Sequence, residues 1–125
     1  MGGEPVLIVD DNELNLKLTR ALLAKAGYDV RTASDTPSAL SVLAAFSPRL
    51  ILMDIQMPGV DGLQLTRTLK TDPKTQGIKI LAVTAYSAKG DEEKALVAGC
   101  DGYVTKPIDT RALPGIVRRH LDGLA

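Results

Sequence analysis

The sequence has no tryptophan, one phenylalanine, one histidine and one cysteine. The lone Cys100 cannot close an internal disulfide, so the fold must rest on its packing. A single thiol fits a reducing cytosol, and a small core residue is its expected role. Net charge is also missing. Fifteen Lys and Arg balance fifteen Asp and Glu, so no basic excess marks a nucleic-acid footprint, and DNA binding by this chain is not expected. No apolar run approaches the roughly 20 residues of a membrane span. The opening Met1-Gly2-Gly3-Glu4 has no apolar stretch of the kind a secretory leader needs. Internal repeats and low-complexity tracts are absent too. What is present is an ordinary globular composition, 45% apolar and 24% charged over 125 residues. That length suits one domain with a core of its own.

Short apolar runs alternate with helical patterns. Val6 to Val9 is β-branched and continuously apolar, as in a strand covered on both faces. A helix follows from about Glu13 to Lys25, with Leu14, Leu18, Ala21 and Leu22 at helical spacing and Gly27 placed to stop it. Asp29 to Ala33 is a second, more polar strand, expected near a sheet edge. Thr36-Pro37 reads as an N-cap and first helical residue, opening a helix through Ala45. Leu50 to Met53 is a third strand ending on Asp54, and a helix from about Asp61 to Thr71 follows. Ile80 to Val83 ends on Thr84. Ser87 is placed to cap a helix that runs to Ala98 and closes at Gly99. Gly102 to Thr105 leads to Lys106-Pro107, and a last helix reaches about Leu121. Five such alternations predict an α/β fold, a doubly wound five-stranded parallel sheet with helices on both faces. A closed eightfold barrel needs about twice the length.

Open parallel sheets place their functional groups outside the carboxyl ends of the strands. There this chain delivers Asp10 and Asp11, Asp54, Thr84 and Lys106. Carboxylates gathered at one rim repel and raise one another's pKa unless cations intervene. Lys106 is one cation. The other is expected to be Mg²⁺, because the donors are all oxygens, no histidine is near, and magnesium tolerates a carboxylate-poor site that keeps several waters. A lysine and a hydroxyl beside a carboxylate add donors suited to phosphoryl oxygens. Asp54 is then a candidate nucleophile for an aspartyl phosphate. Each of these residues alone has a plainer reading, as a helix cap, a strand end or a solvated charge. Only their conjunction carries the chemistry.

Asp10-Asp11, the stretch Leu52 to Gly62, Val83-Thr84-Ala85 and Tyr103-Val104-Thr105-Lys106-Pro107 resemble the receiver domain of bacterial two-component response regulators. The resemblance covers about Pro5 to Leu121, with 30 residues from Asp54 to Thr84 and 22 from Thr84 to Lys106. It implies a flavodoxin-like (βα)5 sheet of order 2-1-3-4-5, one receiver domain over 1–125 with its core at about 5–122. It also implies phosphorylation of Asp54 by a sensor histidine kinase or a histidine phosphotransfer protein. By the same resemblance, Mg²⁺ is held by Asp11, Asp54 and the backbone carbonyl of Gln56, with Asp10 reaching it through water. Lys106 and Thr84 stabilise the phosphoryl group, Tyr103 turns with Thr84 as the switch, and Pro107 follows a cis bond. Kinase docking would use the first helix and the loop after the fifth strand, around Asn15, Leu18, Pro107 and Ile108. A downstream protein target would read the fourth helix, fifth strand and fifth helix. Asp11 to Asn15 and Lys89 to Glu93 further resemble single-domain cell-cycle regulators of the DivK type, and also receivers of hybrid kinases. With no output domain expected, the signal would pass by protein–protein contact or phosphorelay in the cytoplasm.

Two positions are expected to tune the site. Gln56 stands two residues after Asp54 and Tyr86 two after Thr84, and a bulky Tyr86 without an acidic partner at Gln56 should slow self-dephosphorylation. Pro114-Gly115 departs from the helix-favouring residues usual in the family, so the last helix is expected to begin late, with Pro114 in its first turn. Gly90 should weaken the start of the fourth helix. An FMN carrier of the same architecture would not have an acidic first loop and so few aromatics. A haloacid-dehalogenase-type phosphatase would need a second aspartate where Gln56 stands. A receiver-like module that is never phosphorylated usually lacks one of the five site residues, and here none is missing.

Overall fold

The computed structural model describes residues 3–55, 62–84, 89–105, 109 and 111–123, with the backbone alone for 89–92. Within them the strands are β1 (Pro5–Val9), β2 (Asp29–Ala33), β3 (Leu50–Asp54), β4 (Lys79–Thr84) and β5 (Gly102–Thr105). The helices α1 (Glu13–Lys25), α2 (Thr36–Ala45), α3 (Gly62–Thr71), α4 (Lys89–Ala98) and α5 (Leu113–Leu121) alternate with them. All four strand pairings are parallel, and the order is β2-β1-β3-β4-β5, as expected. The order reverses between β2 and β3, on either side of β1. In a doubly wound sheet a crevice opens at that point, beyond the strand ends.

Strand alternation divides the core into two layers. Val6, Ile8, Leu50, Leu52, Leu81 and Val83 pack beneath α1 and α5 with Leu16, Leu23, Leu113, Val117 and Leu121. Leu7, Val9, Ile51, Met53, Ile80 and Ala82 point the other way, onto Ala39, Leu65, Leu69 and Ala95 of α2, α3 and α4. The central strands β1, β3 and β4 are buried almost throughout, which explains their continuous apolar runs. The edge strands β2 and β5 alternate instead, with Val30 and Val104 buried and Arg31 and Tyr103 exposed. Cys100 lies in the second core layer, its Sγ 3.9 Å from Thr66 Oγ1, and burial pushes its thiol pKa up, as befits a core residue.

Two expectations need correction. The N-cap of α2 is Asp35, not Thr36. The Asp35 carboxylate accepts the Ser38 N–H at 2.7 Å, which puts Thr36 and Pro37 in the first turn. Asp35 and Thr36 are both capping residue types, and proline is tolerated in the first turn because its missing N–H would be unpaired in any case. On α1 the row Leu14, Leu18, Ala21 is exposed, and the buried residues are Leu16, Thr19 and Leu23. Helix ends follow the sequence more closely. Gly27 and Gly99 close α1 and α4 at φ 102° and 111°, a left-handed backbone that glycine adopts without strain. Helix α5 starts at Leu113 with Pro114 in its first turn, and Leu113, Val117 and Leu121 face the core. Ser87, placed as the cap of α4, lies outside the described residues.

Candidate functional site

Two segments supply the carboxylates of the rim and a third its hydroxyl. Asp10 follows β1 by one residue, and its N–H extends the ladder to the Ala33 carbonyl at 3.1 Å. Asp54 is the last residue of β3, paired in register with Val83, so Thr84 stands one residue farther along β4. Asp10, Asp54 and Thr84 are buried, at 5%, 2% and 1% exposure, whereas Asp11 is exposed. Polar groups buried this deeply need partners or a function, and each of the three has a polar interaction.

One carboxylate oxygen from each of Asp10, Asp11 and Asp54 lies within 4.8 Å of the others. At that separation like charges repel by about 1 kcal/mol in water and by several in a half-buried site. Such a cluster is matched to a hard divalent cation, which takes oxygen donors at short range and removes the repulsion. The donor set therefore fits Mg²⁺ or a similar ion, and Asp11, being exposed, leaves the cluster open to solvent on one side.

The Asp10 carboxylate is held by a local hydrogen bond from Asn12, a residue with no expected role at the site. The Asn12 N–H donates to Asp10 Oδ1 at 2.9 Å, while Asn12 Oδ1 accepts the Asn15 N–H at 3.1 Å and caps α1. Asn12 thus ties the Asp10 carboxylate to the start of α1. The signal was legible, since asparagine just before a helical pattern is an N-cap signature. Gly62 closes the Leu52 to Gly62 stretch that carries the resemblance, but no local pattern marks what it does. It is buried at the start of α3, against the Asp54–Ile55 backbone.

Tyr103 is on the edge strand β5 and 42% exposed, pointing outward. Gln56, Tyr86, Lys106, Pro107 and Ile108 lie outside the described residues, so the structure brings together Asp10, Asp11, Asp54 and Thr84 of the expected set. No described helix is long and apolar enough to cross a membrane.

With this geometry in hand, comparison with known proteins is specific. Residues 6–118 match the family described as the response regulator receiver domain. The chain is 44% identical over 117 residues to the polar-differentiation response regulator DivK of Brucella ovis, covering 93% of this chain and 94% of that protein. The corresponding protein of Brucella anthropi is 42% identical over 116 residues, with the same coverage. Among solved structures, a CheY-like response regulator receiver domain protein from Methanospirillum hungatei superposes with a TM-score of 0.88 at 30% identity, over 98% of this chain and 96% of that one. The receiver domain of a sensor histidine kinase from Pseudomonas aeruginosa, with a magnesium ion coordinated in its active-site cleft, gives 0.86 at 31% identity, over 97% and 99%.

Proposed function

The chain belongs to the response regulator receiver domain family, and on that premise we propose that it stores a signal as an aspartyl phosphate on Asp54. The single observation that carries this reading is the convergence of Asp10, Asp11 and Asp54 within 4.8 Å, with Asp54 buried at a strand end. An Asp54 carboxylate oxygen attacks the phosphorus of a phosphohistidine on a sensor kinase or phosphotransfer protein. An O–P bond forms as the N–P bond breaks, and the released electron pair stays on the donor's imidazole. Mg²⁺, when bound, would supply positive charge to balance the clustered carboxylates and the phosphoryl oxygens. Asp11, Asp54 and the Gln56 carbonyl would hold it, and Asp10 would reach it through water. Thr84 and Lys106 donate to the phosphoryl oxygens, and Tyr103 follows Thr84 inward, changing the face of α4, β5 and α5 that a downstream protein reads. Tyr86 and Gln56 set the lifetime of the phosphorylated state.

The donor is proposed to dock on α1. Its solvent face presents Leu14 and Leu18 at 65% and 59% exposure, an apolar row at (i, i+4) spacing beside Asn15. The receiver core runs over about residues 5–122, and the work is done in the cytoplasm without turnover of an external substrate. The likeness to a sensor-kinase receiver keeps a second reading, a phosphorelay intermediate that hands the group on to another histidine.

Acetyl phosphate with Mg²⁺, followed by intact mass measurement, tests the proposal. One phosphoryl group should appear on the wild type and none on Asp54→Asn. Beryllofluoride with Mg²⁺ should strengthen partner binding in the wild type alone. An unmodified wild-type mass together with no metal-dependent change would overturn it.

A further inference from the structure

Glycine at position 62 is not required by its backbone. Among the described residues, positive φ angles are confined to Gly3, Gly27, Gly99 and Gly123. At the start of α3, alanine would be the better helix former. What Gly62 supplies is the absence of a side chain. A Cβ there would stand 2.8 Å from the Asp54 carbonyl oxygen, 3.0 Å from Ile55 Cα and 3.4 Å from Met53 Cγ. The first two contacts are with backbone, so no side-chain rotation relieves them. The Ile55 N–H is meanwhile tied to the Val83 carbonyl at 3.2 Å, which anchors the same peptide to β4. The first turn of α3 is held in place as well. Thr66, fully buried, donates its hydroxyl to the Gly62 carbonyl at 2.8 Å and meets Cys100 Sγ at 3.9 Å.

We propose that Gly62 is a positioning residue for the phosphoacceptor: its bare Cα lets α3 close on the Asp54–Ile55 peptide and so fixes where the Asp54 carboxylate stands. This rests on the reading of Asp54 as the acceptor. A Cβ at Gly62 would push the end of β3 and the start of α3 apart by roughly half an ångström, and displacements approaching 1 Å at a reacting group cost on the order of 10²-fold.

The test compares Gly62→Ala with Gly115→Ala, a helical glycine with open space around its Cα. For each, labelling by acetyl phosphate at saturating Mg²⁺, Mg²⁺ affinity by titration calorimetry and Tm are measured. Gly62→Ala should label at least tenfold more slowly and bind Mg²⁺ more weakly while remaining folded. Gly115→Ala should leave both unchanged. Thr66→Val, which frees the first turn without changing volume, should slow labelling by a few-fold. It keeps the test decisive if Gly62→Ala does not fold. Wild-type rates and Mg²⁺ affinity in Gly62→Ala, or in Thr66→Val where the first cannot be measured, would overturn the inference and leave the proposed function standing. A wild type that binds Mg²⁺ but takes no label would overturn the proposed function instead, and Gly62 would then be judged on Mg²⁺ affinity alone.

Discussion

At the amino end of the sheet, charges meet partners of opposite sign. Arg118 of α5 bridges Glu4, just before β1, lies 3.6 Å from Asp122 and sits over the Tyr28 ring at 5.4 Å. Lys70 of α3 contacts Asp101 at 2.8 Å and the Ile78 carbonyl at 2.7 Å, and the same Asp101 oxygen accepts the Ile80 N–H at 2.8 Å. At the carboxyl end, three carboxylates are drawn together, two of them buried. The first arrangement is what stability favours, with half-buried ions paired and hydrogen-bonded. The second is unfavourable for the carboxylates taken alone and is tolerated where cations balance them. One sheet thus has an end whose charges are paired and an end at which the proposed phosphoryl chemistry would take place.

That contrast can be broken in order of expected effect. Asp11→Asn should cut acetyl phosphate labelling by a hundredfold or more, because it removes a proposed metal ligand, while stabilising the metal-free protein by on the order of 1 kcal/mol through relieved repulsion. Thermal melts with and without Mg²⁺ check it. The wild type should rise with Mg²⁺ and the variant should not. Lys70→Met should do the reverse. It strands the half-buried Asp101 carboxylate and should cost about 2 kcal/mol of stability by denaturant titration, with labelling within twofold of wild type. Glu4→Gln tests the pH limb. Arg118 donates to Glu4 and holds its carboxyl below the usual 4.5. The stability this pair adds is therefore fully present above that value and lost as pH falls through the lowered folded value. Acid melts of the variant should be flatter below pH 4.5 and unchanged near neutrality relative to its own plateau. Tyr28→Phe should be the smallest change. It removes a long hydrogen bond from the hydroxyl to the Pro114 carbonyl at 3.4 Å, so a loss of about 0.5 kcal/mol or less is expected, with the ring's contact to Arg118 kept.

Much of this was legible in the chain. The apolar runs of β1, β3 and β4 announced strands covered on both faces, and the residues following them announced the rim. Helix ends at Gly27 and Gly99 and the late start of α5 at Pro114 followed from local backbone chemistry. Helix α1 shows where such reading stops. Its sequence has leucines at 14, 16, 18, 22 and 23, which form two apolar rows, and periodicity does not say which one meets the sheet. Packing chose Leu16 and Leu23 and left Leu14 and Leu18 to solvent. Likewise Asp35 and Thr36 are both capping residue types, and only the geometry of the first turn chose Asp35.

By itself, then, the sequence determined the alternation of elements, the parallel sheet and which carboxylates stand at its carboxyl end. Each of these depends on local periodicity and on a strand's direction. Tertiary structure decided what depends on separate segments meeting. It closed Asp10, Asp11 and Asp54 to within 4.8 Å, turned one face of α1 outward, joined Lys70 to Asp101, and brought Gly62 against the carbonyl of Asp54. The last is the least visible in sequence, because a glycine that matters for the volume it does not fill looks the same as one that fills a turn.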